Sequence, residues 1–259
     1  MNQNLTEIVF LLDRSGSMSY LTDDTIGGYN SFIEKQKNEP GEAKLTTVLF
    51  DDKYELLHNG TDLKTAEPLN RTTYFARGST ALYDALGKTI NDVGHRLAKI
   101  PEEERPSKVI FVITTDGFEN ASKEFTQSAV KEMITHQTEK YSWEFIFLGA
   151  NIDSAEVGAS MGISVDRSFN YTASAQGTSA LYSTLSASIS DYRVSGTINT
   201  DAIVEGLEAD AKSYSDIDIT DHALKTDMGA SVLINSDELS GTIAIMEIDT
   251  AASTNASAI

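Results

Sequence analysis

The sequence predicts an α/β fold in which a doubly wound, mostly parallel sheet carries helices on both faces. Short, continuously apolar segments such as residues 8–12 and 109–113 are typical of strands buried on both faces of a parallel sheet. Segments with apolar residues at helical spacing alternate with them along the chain. This strand–helix order favours a parallel sheet with crossover helices.

The strands are expected, in order, at residues 8–12, 45–50, 53–57, 109–113, 143–148 and, as a last edge strand, 163–165. Helices are expected at residues 23–37, from Gly78 to Pro101, at 126–139, 153–161 and 172–192, because each carries one apolar stripe. Proline or glycine ends several of them, as Pro101 and Gly162 do. Residues 63–74 have no clear period, so we expect a loop with one helical turn.

Composition excludes several classes of partner and site. The chain has 20 basic and 39 acidic residues, a net charge of −19, so nucleic acid and anionic membranes are not expected partners. It has no cysteine, which excludes disulfides and thiolate metal sites. The N-terminus lacks the basic start of a signal peptide and no segment has the length of a membrane span. A cytoplasmic location is therefore expected, while the oligomeric state stays open.

The composition changes near Gly196. Residues 200–259 contain twelve acidic and two basic residues. A helix is expected at 202–214, a β-hairpin at 230–235 and 241–248, and a frayed polar end at 250–259. The sequence thus predicts a main domain at 1–196 and a small acidic α+β appendage at 197–259.

Oxygen-bearing side chains stand where the predicted strands end. Asp13, Ser15 and Ser17 follow the first strand, Asp116 follows the strand at 109–113, and Thr80 opens a helix. Ligands of open α/β sheets bind at the carboxyl ends of the strands, so these side chains are expected to share one crevice. Three hydroxyls and two carboxylates suit Mg²⁺, with Mn²⁺ or Ca²⁺ possible, if water completes the shell. A vacant position would attract a carboxylate from outside.

Three segments resemble the metal-ion-dependent adhesion site (MIDAS) of von Willebrand factor type A (VWA) domains. They are Asp-Arg-Ser-Gly-Ser-Met from residue 13, Gly-Ser-Thr-Ala-Leu-Tyr-Asp-Ala from 78 and Ile-Thr-Thr-Asp-Gly-Phe-Glu-Asn from 113. The resemblance covers about residues 5–195 and is nearer to the stand-alone bacterial members than to integrins. It implies a Rossmann-like VWA fold and an intact MIDAS.

The resemblance also implies roles for the site residues. The serines matching Ser15 and Ser17 ligate the metal directly, and the threonine matching Thr80 does so in a high-affinity state. Asp13 and Asp116 would act directly or through water. A Glu or Asp carboxylate of a protein partner would fill the last position.

The sequence therefore predicts a non-enzymatic, metal-dependent protein-binding module. One alternative is a structural or assembly protein that acts through the appendage, and another is a metal-assisted hydrolase. Two further interpretations of the first loop are an ordinary Asp/Ser/Gly turn at residues 13–17 and a phosphoryl-accepting Asp13. A phosphate loop at residues 82–89 and a calcium loop from Asp216 fail, because the required glycines are absent.

Overall fold

In the computed structural model, residues 1–215 are described, with side-chain surroundings for residues 1–209. One six-stranded sheet forms the centre, in the order β3-β2-β1-β4-β5-β6. Its strands are β1 Asn2–Asp13, β2 Glu42–Phe50, β3 Tyr54–Asp62, β4 Pro106–Thr115, β5 Glu144–Gly149 and β6 Ser168–Asn170. Neighbouring strands pair in parallel except β2 and β3, which form an antiparallel edge.

Helices cover both faces of this sheet. They are α1 Thr22–Lys37, α2 Leu82–Ala98, α3 Gln127–Tyr141, α4 Ser154–Ser160, α5 Ala175–Ser195 and α6 Thr200–Ser215. The alternation of side chains along β1 divides the core, since Phe10 packs with α1 and α5 whereas Val9 and Leu11 pack with α2 and α3. The predicted doubly wound α/β fold is confirmed.

The predicted edge strand at residues 163–165 is wrong. The sixth strand is β6, which pairs with Phe147–Gly149 at the end of β5. Ile163 is buried, but its N–H donates to the carbonyl of Gly158 at 2.9 Å, so it closes the end of α4. Ile163 is apolar because it packs in the core, and not because it pairs with a neighbouring strand.

Several boundaries also differ from the prediction. β1 starts at Asn2 and β3 continues to Asp62, because pairing with a neighbouring strand holds polar segments that carry no apolar period. α2 begins at Leu82, so Gly78–Thr80 forms a loop before it. A 3₁₀ helix at Gly16–Leu21, not expected from the sequence, leads into α1.

The helix predicted at 202–214 exists as α6, but it packs against α5. Its residues Ile203 and Leu207 belong to the same buried cluster as α1 and α5. The sequence assigns this helix to an appendage that begins at residue 197, and that division of the chain stays a prediction. The predicted hairpin and frayed end lie outside the described residues. Within the described part of the chain, no helix has the length and apolar character needed to cross a membrane.

Candidate metal site

The central strand β1 carries Asp13 to the carboxyl edge of the sheet, beside the end of β4. Its carboxylate accepts two short hydrogen bonds, from the Ser15 N–H to Oδ1 at 2.7 Å and from the Thr115 hydroxyl to Oδ2 at 2.6 Å. The Tyr74 hydroxyl donates to the Asp13 carbonyl at 2.6 Å. Asp13 is fully buried and links the ends of the two strands.

Ser17 connects the first loop to Asp116. The Ser17 hydroxyl donates to Asp116 Oδ1 at 2.6 Å, and the Oγ atoms of Ser15 and Ser17 are 3.1 Å apart. The second oxygen of Asp116, Oδ2, is buried and has no hydrogen-bond partner among the described residues. A buried carboxylate oxygen without a partner is costly unless something positively charged or a hydrogen-bond donor occupies the space beside it.

Thr80 lies on a third loop that contacts the other two. The Gly16 N–H donates to the Gly78 carbonyl at 3.1 Å. The Thr80 N–H donates to Asn120 Oδ1 at 2.9 Å, and the Asn120 N–H donates back to the Thr80 carbonyl at 3.0 Å. The structure therefore places Asp13, Ser15, Ser17 and Asp116 in one hydrogen-bonded group and brings Thr80 to it through backbone contacts.

Two acidic residues whose roles the sequence did not reveal hold the Asp116 loop to α2. Glu119 accepts from the backbone N–H groups of Tyr83, Ala121 and Ser122 and from the Ser122 hydroxyl. In return, Asp84 accepts from three successive N–H groups, at residues 123–125. Asp84 lies in the first turn of α2, where an acidic side chain is favoured, but the helix predicted from Gly78 placed it further from the helix start. Both residues lie within the motifs that define the site, yet they act on the backbone.

Burial perturbs both carboxylates of the site. It raises the pKa of Asp13 to about 6, although the hydrogen bonds from Thr115 and Ser15 act in the opposite direction. Burial likewise raises the pKa of Asp116, while the hydrogen bond from Ser17 lowers it. Two buried carboxylates with raised pKa values are stabilised in their ionised form by a nearby cation.

The donor set fits a hard divalent cation. The described residues contain no cluster of three or more His, Cys, Asp or Glu side chains suited to a metal. Any cation here would depend on serine and threonine oxygens as well as on the two aspartates, and such oxygen ligands suit Mg²⁺. The unpartnered Asp116 Oδ2 is the observation that favours this fit.

No protein-family model and no curated protein matches the sequence. Among solved structures, the vWF domain of the type V pili tip protein Mfa5 from Porphyromonas gingivalis aligns at 11% identity with a TM-score of 0.54, over 75% of this chain and 98% of that one. The PilB minor pilin from Streptococcus sanguinis aligns at 13% identity with a TM-score of 0.51, over 76% of this chain and 64% of that one.

Proximal thread matrix protein 1 from the mussel byssus, with a zinc occupied MIDAS motif, aligns at 18% identity and a TM-score of 0.47, over 71% of this chain. The chain spans 46% of that protein's length. At these identities the similarity to the Mfa5 domain and PilB concerns the fold alone. The chain has the fold of a von Willebrand factor type A domain.

Proposed function

We propose that this chain is a non-enzymatic protein-binding module with an intact MIDAS that depends on a divalent metal. The observation that carries the proposal is the group formed by Ser15, Ser17 and Asp116, which are joined by bonds of 2.6 and 3.1 Å around a carboxylate oxygen that has no partner in the described structure. A serine hydroxyl that donates one hydrogen bond keeps lone pairs that a cation could use.

In this proposal Ser15, Ser17 and Thr80 hold Mg²⁺ through their hydroxyls, and Mn²⁺ or Ca²⁺ are alternatives. Asp13 and Asp116 supply negative charge, directly or through water. When bound, the metal supplies a Lewis-acidic position that accepts an Asp or Glu carboxylate from a partner protein. Ser17 is exposed, while Ser15 and Asp116 are buried. The side chains therefore bind the metal from the protein side and leave the outer side open to the partner.

Exposed aromatic side chains on the same three loops support a role in protein binding. Tyr20 is 57% exposed, Phe75 40% and Phe118 62%, and each lies within five residues of a proposed ligand. Aromatic residues are enriched in protein interfaces because they bury a large area with few rotatable bonds. A partner that brings a carboxylate to the metal would cover these rings.

The hydrolase alternative requires a general base near the metal. Glu119 is the acidic side chain nearest in sequence to Asp116, but four hydrogen bonds from Tyr83, Ala121 and Ser122 commit its oxygens to loop structure. This arrangement supports binding in preference to catalysis. Turnover of phosphate or carboxylic esters that is lost in Asp13→Ala would overturn that preference.

The first test measures the metal alone. Isothermal titration of the full chain with Mn²⁺ should give a single site that Ser17→Ala weakens strongly. Ser19→Ala is the matched control, because Ser19 is also exposed and lies in the same 3₁₀ segment but forms no bond to Asp116. Equal affinity in the two variants would contradict the assignment.

The second test concerns the partner. Capture by the wild-type chain in Mg²⁺ should be abolished by a chelator and by Asp13→Ala, and metal-independent capture would contradict the proposal. The cytoplasmic location expected from the sequence stays a prediction. So does the alternative in which the appendage drives assembly. Its test is removal of residues 216–259, because a cut at 197 would also remove α6 from its contact with α5.

A further inference from the structure

Asp51, at the end of β2, is a buried carboxylate shared by two loops of the candidate site. The Arg14 Nε donates to Asp51 Oδ2 at 2.9 Å, and the Arg77 Nε donates to the same oxygen at 2.7 Å. The side chains of Asp51 and Arg14 are completely buried, and Arg77 is 36% exposed. Arg14 lies between Asp13 and Ser15 in the chain, and Arg77 lies three residues before Thr80.

Backbone hydrogen bonds run beside this side-chain link. The Arg77 N–H donates to the Arg14 carbonyl at 2.8 Å, and the Ala81 N–H donates to the Asp51 carbonyl at 2.9 Å. The other carboxylate oxygen of Asp51 accepts from the Lys53 N–H at 2.7 Å, which fixes the orientation of the carboxylate. Asp51 therefore contacts the residues that flank the proposed ligands on both loops without itself belonging to the site.

The positive charges of Arg14 and Arg77 require a shared negative partner. Arg14 and Arg77 stack over the same ring, with their guanidinium carbons 5.7 and 4.9 Å from the centre of Phe75. Two guanidinium groups so close together repel each other, and a buried one is costly unless paired. Glu55 Oε2 lies 2.8 Å from Arg14 Nη1, but its side chain is 48% exposed, and in the described part of the chain it forms no ion pair with Arg77. Among the described residues, Asp51 is the carboxylate that forms an ion pair with both arginines.

We propose that Asp51 is a positioning residue of the metal site, which sets the Thr80 loop against the Ser15–Ser17 loop through Arg14 and Arg77. This inference depends on the proposed function, since it assigns Asp51 an effect on metal affinity. Without the carboxylate, Arg14 keeps only the partly exposed Glu55 as an ion-pair partner, and the two loops lose their shared acceptor. The hydroxyls of Ser15 and Thr80 then spend less time in the arrangement that binds metal.

A second buried carboxylate provides a matched control at the opposite end of the same strand pair. Glu7 is fully buried in β1 and accepts from Arg96 Nη2 at 2.6 Å and from the Thr46 hydroxyl at 2.7 Å. Like Asp51, it pairs with arginine inside the protein. Glu7 lies in the first half of β1 and Asp13 at its end, so Glu7 supports the fold without touching the loops of the site.

The test is titration of the full chain with Mn²⁺ in wild type, Asp51→Asn and Glu7→Gln, with the melting temperature of each measured without metal. Both variants should melt at lower temperature than wild type. Asp51→Asn should raise the Mn²⁺ dissociation constant by about 10- to 100-fold, the range found when a group that orients metal ligands is removed. Glu7→Gln should leave it unchanged. Equal weakening by the two variants would show a general loss of stability and overturn the proposal.

Arg77 gives an independent route if Asp51→Asn does not fold. Arg77→Gln removes one of the two guanidinium groups at a partly exposed position, and Arg77→Lys keeps the charge there. The Mn²⁺ affinity should fall in Arg77→Gln and be partly restored in Arg77→Lys. Unchanged affinity in Arg77→Gln overturns the positioning role while the proposed function stands. Failure of the wild type to bind Mn²⁺ overturns the proposed function as well.

Discussion

Replacing Asp13 by asparagine should stabilise the metal-free protein at neutral pH. Burial raises the pKa of Asp13 from its ordinary 3.8 to about 6, against the hydrogen bonds from Thr115 and Ser15. A pKa difference of one unit corresponds to about 1.36 kcal/mol, so the ionised side chain disfavours the folded state by about 3 kcal/mol at pH 7. The asparagine side chain cannot ionise and carries no such penalty.

The sign of the pH dependence follows from proton binding. The unfolded chain ionises Asp13 near pH 4 and the folded chain near pH 6. Between these values the unfolded state binds fewer protons, so the free energy of unfolding of the wild type falls as pH rises. The advantage of Asp13→Asn should thus be absent near pH 4, grow through this window and level off above it.

The variant also loses something, because an amide offers one acceptor oxygen where the carboxylate offers two. Loss of the bond from the Thr115 hydroxyl costs about 1 kcal/mol, which leaves a net gain of about 2 kcal/mol at pH 7. For a chain of this size that gain raises the melting temperature by roughly 4–8 °C.

The assay is thermal and urea unfolding of wild type and Asp13→Asn in a chelator, from pH 4 to pH 7. Asp23→Asn is the control, since the hydrogen bond from Arg71 lowers the pKa of Asp23 and the variant should show no gain. Saturating Mg²⁺ should reverse the order of wild type and Asp13→Asn. An Asp13→Asn protein that melts below the wild type at pH 7 without metal would refute the argument.

Three further predictions concern the site, its rim and the core. Mg²⁺ at about 100 times its dissociation constant should raise the free energy of unfolding of the wild type by about 2.7 kcal/mol, as measured by urea unfolding with and without the metal. The Ser15→Ala/Ser17→Ala double variant should show no change in this experiment. Phe118→Ala should weaken capture of the partner while the Mn²⁺ affinity measured by calorimetry stays the same, because the ring is 62% exposed beside Asp116. Gly28→Ala should lower the free energy of unfolding by about 1–3 kcal/mol, because its Cβ would lie 2.2 Å from a ring carbon on α5. Its neighbour Gly27 has open space, so Gly27→Ala should instead add up to about 1 kcal/mol in the same urea unfolding experiment.

The main elements of the fold were predictable because β1, β4 and β5 are buried on both faces. Each such strand is a continuous apolar run, and the helices between them carry a single apolar stripe, so periodicity alone separates the two. The antiparallel edge strand β3 gave a weaker signal, since its second half is polar and is held by pairing with β2. Pairing of this kind depends on the neighbouring strand and leaves no period in the sequence.

The same limit explains what was missed near the site. Asp13, Ser15 and Ser17 are recognisable because they follow an apolar strand, whereas Ile163 shows that burial alone does not make a strand. Asp84 and Glu119 are ordinary acidic residues in the sequence, and their roles appear only when α2 and the Asp116 loop are side by side.

Asp51 shows most clearly how strand register creates a role that the sequence conceals. In the sequence it belongs to a short acidic turn between two predicted strands, where exposure is the normal expectation. The parallel pairing of β1 with β2 places Asp13 opposite Phe50 at the ends of the two strands. The residues that directly follow these strands therefore lie side by side under the loops of the site. Arg14 and Asp51 are those two residues, and both are buried there as a pair. The register of β1 against β2 therefore makes a turn residue the common acceptor for two loops. A metal affinity that falls in Asp51→Asn but not in Glu7→Gln would show that the site depends on this position.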